Sequence, residues 1–504
     1  MLPAGMALIA NPRASIPARR RLPVLAVWLA LAAPAGMAAA EGAPGRLHRY
    51  TVAIDEGLAT LSVRACFDGA PPAELVAESL DAPLVLMEAR IEGRRGTIEP
   101  SGSLSLRHVP DNGCITYAVN VSKPIRQHDR TDGKVRRLGR DLLTSVGLWL
   151  WRPARLGADE DVEVSFALRE GLNVSAPWQP LAQLPDRAVF RLGHAPADEP
   201  AHVAFGRFQE RELAVGGAKL RLAVLEGSPP APVDAMAQWL EEAARAVAGL
   251  YGRFPVAQAQ VLVVPDARGA EPTPWAHVMR GGAPAVHFFV NQRRPLAEFR
   301  EDWTAVHEFS HLLLPLINRD DAWLYEGMAT YYQNILRVRT GSISAGQGWT
   351  MMHAGFLRGR DDAGGMTLAQ ATESMYRNGA YMRVYWEGAA LMLMADVRLR
   401  QMTEGKQSLD TALAGFNDCC ASSERAWSAR ELLDRLDGIT GTHVFRDLYD
   451  LHVTAREFPD LAPTYRALGI VPTATGVELA GTDRESRLRA SIMEAAAPGE
   501  APPN

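Results

Sequence analysis

From 47 to 226 the chain reads as short runs in which apolar and polar residues alternate, among them Tyr50-Val52-Ile54, Leu61-Val63-Ala65-Phe67 and Leu220-Leu222-Val224, divided by Gly, Pro and Asp. Period-two alternation places every second side chain on one face of a strand, so these runs predict an antiparallel β region. Several short strands at this spacing predict a sandwich. The pattern breaks at Gly227-Ser228-Pro229-Pro230, and from 233 to 251 the apolar positions Met236, Leu240, Ala244 and Val247 recur at helical spacing. Strand-like apolar runs follow at 261–264 and 285–290, and helical patterns then dominate to about 465. Beyond 470 little apolar periodicity is left, and the chain ends in Pro502-Pro503-Asn504. The expected layout is an α+β multidomain chain: a β-sandwich-like region at 41–226, a mostly helical region at 227–470 and a flexible tail at 471–504.

Composition narrows the class without naming it. Of 504 residues, 47% are hydrophobic and 22% charged, which is ordinary for a chain that buries a core. A formal net charge of -5 offers no concentrated basic surface, so nucleic acid is not an expected partner. Arg19, Arg20 and Arg21 precede an apolar run at 22–33 and small residues ending in Ala38-Ala39-Ala40. That three-part order predicts a signal peptide at 1–40 and hence an exported protein, periplasmic or secreted, while richness in alanine and arginine points to a bacterial source. The apolar run is shorter than the roughly 20 residues a membrane span requires, so no span is expected in the mature chain. In an oxidising compartment Cys66 and Cys114, both in strand-like stretches, are expected to pair, while adjacent Cys419 and Cys420 either bridge or stay free.

The chemistry concentrates at His307-Glu308-Phe309-Ser310-His311, an H-E-x-x-H motif in an apolar helical setting. Positions four apart lie one above the other on a helix, so both imidazoles can reach one metal ion. After a break around Pro315 and Asn318 comes Ala322-Trp323-Leu324-Tyr325-Glu326, whose carboxylate can complete a His, His, Glu set on a returning helix. One Zn2+ held by His307, His311 and Glu326, with water as fourth ligand and Glu308 as the base acting on that water, is the reading these residues support.

Here the chain resembles the gluzincin peptidases, above all the M1 aminopeptidases and the M61 glycyl aminopeptidases. The residues that carry the likeness are the H-E-x-x-H motif, Trp323-Leu324-Tyr325-Glu326-Gly327-Met328-Ala329-Thr330-Tyr331-Tyr332, and Tyr381-Met382-Arg383-Val384-Tyr385-Trp386-Glu387-Gly388. The resemblance implies a thermolysin-like zinc peptidase domain behind the β region, peptide or protein substrates, and a tyrosine, Tyr385, that hydrogen-bonds the oxyanion. Three features depart from it. Only fourteen residues separate His311 from Glu326, no G-x-M-E-N precedes the zinc helix, and Arg280-Gly281-Gly282 stands where an edge strand would meet substrate. The usual acidic anchor for a free amino terminus is therefore missing, and a zinc endopeptidase stays beside the aminopeptidase as an alternative. A non-catalytic zinc-containing binding protein is the rival from another class. Thr330 is a candidate for orienting a ligand, and Tyr381, His287 and His277 are weaker candidates for substrate contact.

Overall fold

The computed structural model describes residues 45–94, 97–98, 102–123, 134–193, 199–362, 364–421 and 425–494. The expected signal peptide at 1–40 lies outside them. Among the described residues no helix is long and apolar enough to cross a membrane.

The alternating runs form two sheets over one core. The larger has seven strands in the order Gln179–Leu184, Arg187–Arg191, Glu160–Ala167, Arg46–Ile54, Thr60–Cys66, Cys114–Asn120, Leu86–Ile91. Its pairings are antiparallel except that of Arg46–Ile54 with Glu160–Ala167, which is parallel. The smaller has four, Asn173–Ser175, His202–Gly206, Asp141–Ser145 and Val135–Leu138. Alternation along Arg46–Ile54 sends Tyr50, Val52 and Ile54 into a core shared with Trp149, Trp151 and Trp178. Cys66 faces Cys114 across neighbouring strands and the two are bonded. Cys419 and Cys420 are also bridged.

Strand pairing moves the expected boundary at 226/227. The hairpin Gln209–Val215 and Ala218–Val224 was expected in the β region, yet it leads a five-stranded sheet continued by Gln258–Pro265, Ala285–Val290 and Trp275–Met279. Leu220, Leu222 and Val224 accordingly pack in the core of the helical region. The carboxylate of Asp141 accepts hydrogen bonds from the backbone N–H of Arg207 and of Glu226, both 2.7 Å, tying each end of that hairpin to the four-stranded sheet.

Three helices build the site: the histidine helix Thr304–Ser310, prolonged by a 3-10 turn His311–Leu313, the carboxylate helix Ala322–Arg339, and the tyrosine helix Tyr381–Met402. The last two meet backbone to backbone. A Cβ on Gly388 would lie 2.2 Å from the Trp323 carbonyl oxygen, and one on Gly327 would lie 2.5 Å from Gly388 Cα, so neither position admits a side chain. That contact draws the helix turn bearing Glu326 against the turn bearing Tyr385.

The expectation of a flexible tail is corrected for most of its length. Ile470–Thr473 and Gly476–Leu479 form a hairpin, and Asp483–Met493 a helix that buries Ile492 and Met493. Arg339, at the end of the carboxylate helix, donates to the Ile492 carbonyl at 2.8 Å and to Asp410 at 2.7 Å.

Candidate active site

His307 and His311 project from one face of the histidine helix, and Glu326 meets them from the carboxylate helix. All three are buried, and one ligand atom from each lies within 4.8 Å of the others. His307 Nε2 stands 3.3 Å and His311 Nε2 3.6 Å from the same oxygen, Glu326 Oε2. Ligand atoms about 2.1 Å from a tetrahedral zinc stand roughly 3.4 Å from one another, so this donor set fits such an ion.

The surroundings prepare the ligands. His307 Nδ1 is 2.8 Å from Gln333 Oε1, an acceptor, which assigns the ring proton to Nδ1 and leaves the Nε2 lone pair for a metal. Gln333 lies seven residues after Glu326, two turns along the same helix face. Thr330 is the candidate the sequence offers for orienting a ligand, yet its hydroxyl is buried with no hydrogen-bond partner among the described residues. Arg280 was also missed in this capacity. From the end of the edge strand its guanidinium donates to the carbonyls of His311 and Leu314, both 3.0 Å, and so caps the turn that carries the second histidine.

Burial governs the titration of the cluster. It holds His311 down at about 3, keeping the imidazole neutral, and pushes the Glu308 carboxyl up to about 8, an effect His307 opposes and Glu326 reinforces. His307 is also penalised by burial, but the hydrogen bond and charge of Glu326, with the charge of Glu308, leave it raised. Glu326 sits below its ordinary value, because its histidine partners and the nearby Tyr385 hydroxyl outweigh its burial. Tyr385 stacks on His307 with ring centroids 5.8 Å apart and 3° between planes, and burial holds its phenol protonated.

Two other candidates take no part. His287 is fully buried and bonded to His277 at 3.3 Å and to Gln260 at 3.3 Å, which closes it to substrate. His277 in turn accepts from the indole N–H of Trp275 at 2.9 Å. Tyr381, one turn before Tyr385, is partly exposed and meets the ring of Tyr376.

With this architecture, the chain is similar to an aminopeptidase N family protein from Idiomarina loihiensis at 14% identity, over 87% of this chain and 82% of that one, with a TM-score of 0.64. It is also similar, at 15% identity and a TM-score of 0.53, to a variant of the M1 zinc metallopeptidase from Deinococcus radiodurans bound to a Tyr-Ser-Ala substrate, over 83% of this chain and 95% of that one. The fold is that of the M1 zinc metallopeptidases. M61, the other family in the sequence resemblance, finds no support in these structures. No protein-family model and no curated protein matches the chain. Sheets in the amino-terminal part followed by a helical region are consistent with that architecture.

Proposed function

We propose that the protein is a zinc-dependent peptidase of the M1 kind, an aminopeptidase that hydrolyses peptides with an activated water. The observation that carries this reading is the convergence of His307, His311 and Glu326 on a point flanked by Glu308 and Tyr385. When bound, Zn2+ would polarise the scissile carbonyl and acidify the attacking water. His307 and His311, each presenting Nε2 toward Glu326, and the charged Glu326 would hold it. Glu308, next to His307 on the histidine helix, takes the proton of the attacking water and passes it to the leaving nitrogen. Tyr385, protonated and beside His307, donates a hydrogen bond to the oxyanion.

An endopeptidase is the second reading, favoured by one observation: the edge strand Trp275–Met279, which runs on into Arg280 and Gly281, carries no carboxylate of its own to receive a substrate ammonium, and the acid that acts on Arg280 is Glu199, outside that strand. Export, which the amino-terminal pattern implies, would suit the Cys66–Cys114 bridge. The test joins metal analysis of the mature chain to cleavage of free and amino-blocked peptides, with Glu308→Gln as the blank. One zinc per chain and cleavage of free peptides alone support the aminopeptidase. Cleavage of blocked peptides makes it an endopeptidase, and zinc without turnover above the blank makes it a binding protein. Glu308→Gln is expected to keep its metal and lose about a thousandfold or more in kcat.

A further inference from the structure

The metal site is edged by aromatic rings that the mechanism does not use. On the histidine helix the stripe at four-residue spacing continues backward from His311 through His307 to Trp303. Trp303 lies one turn before His307, its carbonyl accepting the His307 N–H at 3.1 Å, and its indole meets the His307 ring edge-on at 5.2 Å between centroids. That indole is nevertheless 44% exposed, whereas Trp149, Trp151 and Trp178 of the β region are fully buried.

Other rings extend the same border. Tyr325 meets His311 edge-on at 5.6 Å. Tyr381 sits one turn before Tyr385 on the tyrosine helix, 36% exposed, with its ring 5.9 Å from that of Tyr376, which is 70% exposed. Tyr376 carries the border outward from the site through its ring contact with Tyr381. The charges nearby are already engaged: Arg319 faces Glu199 at 3.8 Å, and Arg280 is bonded to backbone carbonyls. Large apolar rings left in water beside a metal cluster gain free energy when another apolar ring covers them, and paired aromatics add to that gain.

We propose that Trp303, with Tyr376 and Tyr381, forms a rim that selects peptides carrying an aromatic side chain next to the scissile bond. The proposal rests on the peptidase reading and names its substrate class. Trp303 is the specificity-determining residue, because its indole meets a metal-site histidine.

The test uses the zinc-loaded full mature chain and peptides that differ only in the residue on either side of the cleaved bond: Phe, Leu, Ala, Arg or Glu. The Phe peptide is expected to show a kcat/KM about tenfold or more above the Ala peptide. Trp303→Ala should remove most of that advantage through KM, with a much smaller loss on the Ala peptide, and Trp303→Phe should restore it. Equal losses on the Phe and Ala peptides, or a wild-type preference for Arg or Glu, would overturn the proposal while leaving the peptidase reading intact. If no peptide is cleaved, that reading fails, and calorimetric titration with the Phe peptide still decides the rim. Binding that weakens about tenfold in Trp303→Ala supports it, and binding that is absent or unchanged refutes it.

Discussion

The β region and the helical region bury different things. Between the two sheets lies a cluster of rings, in which Trp149, Phe166, Trp178, Phe190 and Phe205 meet at centroid distances of 5.6 to 6.5 Å. The helical region also packs rings, Trp239, Phe288 and Phe309 among them, but adds buried ions: Arg383 against Glu387, Arg400 against Asp396 at 3.0 Å, and the His307, His311 and Glu326 group. Burying charge is costly unless each charge finds a partner, and breaking such a pair leaves the survivor uncompensated. A dry aromatic core is a means of holding shape. A paired ionic core is tolerated where fixed polar groups must stand in an apolar setting, as a metal site demands.

Four measurements sharpen this contrast. Trp178→Ala, in the ring cluster, should cost about 3–5 kcal/mol of unfolding free energy, read from denaturant titration, while the surviving folded protein keeps its metal content. Tyr385→Phe should do the reverse, lowering kcat by roughly a hundredfold to a thousandfold with the unfolding midpoint little changed. Equal effects of the two variants on stability would erase the distinction between the regions. Gln333→Leu removes the acceptor that fixes the His307 ring, and should weaken zinc affinity by about ten- to a hundredfold in a chelator competition.

The last effect is absent at neutral pH and appears only in acid. Burial holds His277 down at about 3 and His287 well below its ordinary value, whereas an unfolded histidine titrates near 6.5. Below that pH the unfolded chain binds protons that the folded chain refuses, so their contribution is intact above about 6.5 and is lost as pH falls, by roughly 1.4 kcal/mol per pH unit for each ring. His287→Gln should flatten the acid limb of a stability-versus-pH curve. An unchanged limb would show that other groups dominate it.

How much of this was legible depended on whether the signal was local. His307, Glu308 and His311 share a turn and a half of one helix, so spacing alone reveals them. Glu326 needed only a break and a second helix. Leu220, Leu222 and Val224 gave the right element and the wrong sheet, because alternation tells which face is buried but not which strand lies alongside. Gln333 and Arg280 were beyond reach for the same reason: one depends on how the carboxylate helix is rotated, the other on where an edge strand ends in space. Ile492 and Met493 form too short an apolar patch for any period to register, and so a packed helix looked like a tail.

That last helix has a consequence for the order in which the molecule is made. A ribosome delivers the chain from its amino end, so Arg339 emerges long before the Ile492 carbonyl it will grip. Until some 150 further residues have followed, the far end of the helix carrying Glu326 lacks one of its anchors. Completion of the half of the molecule that carries His307, His311 and Glu326 is thereby tied to a segment made much later, and the finished arrangement waits until Ile492 has left the ribosome.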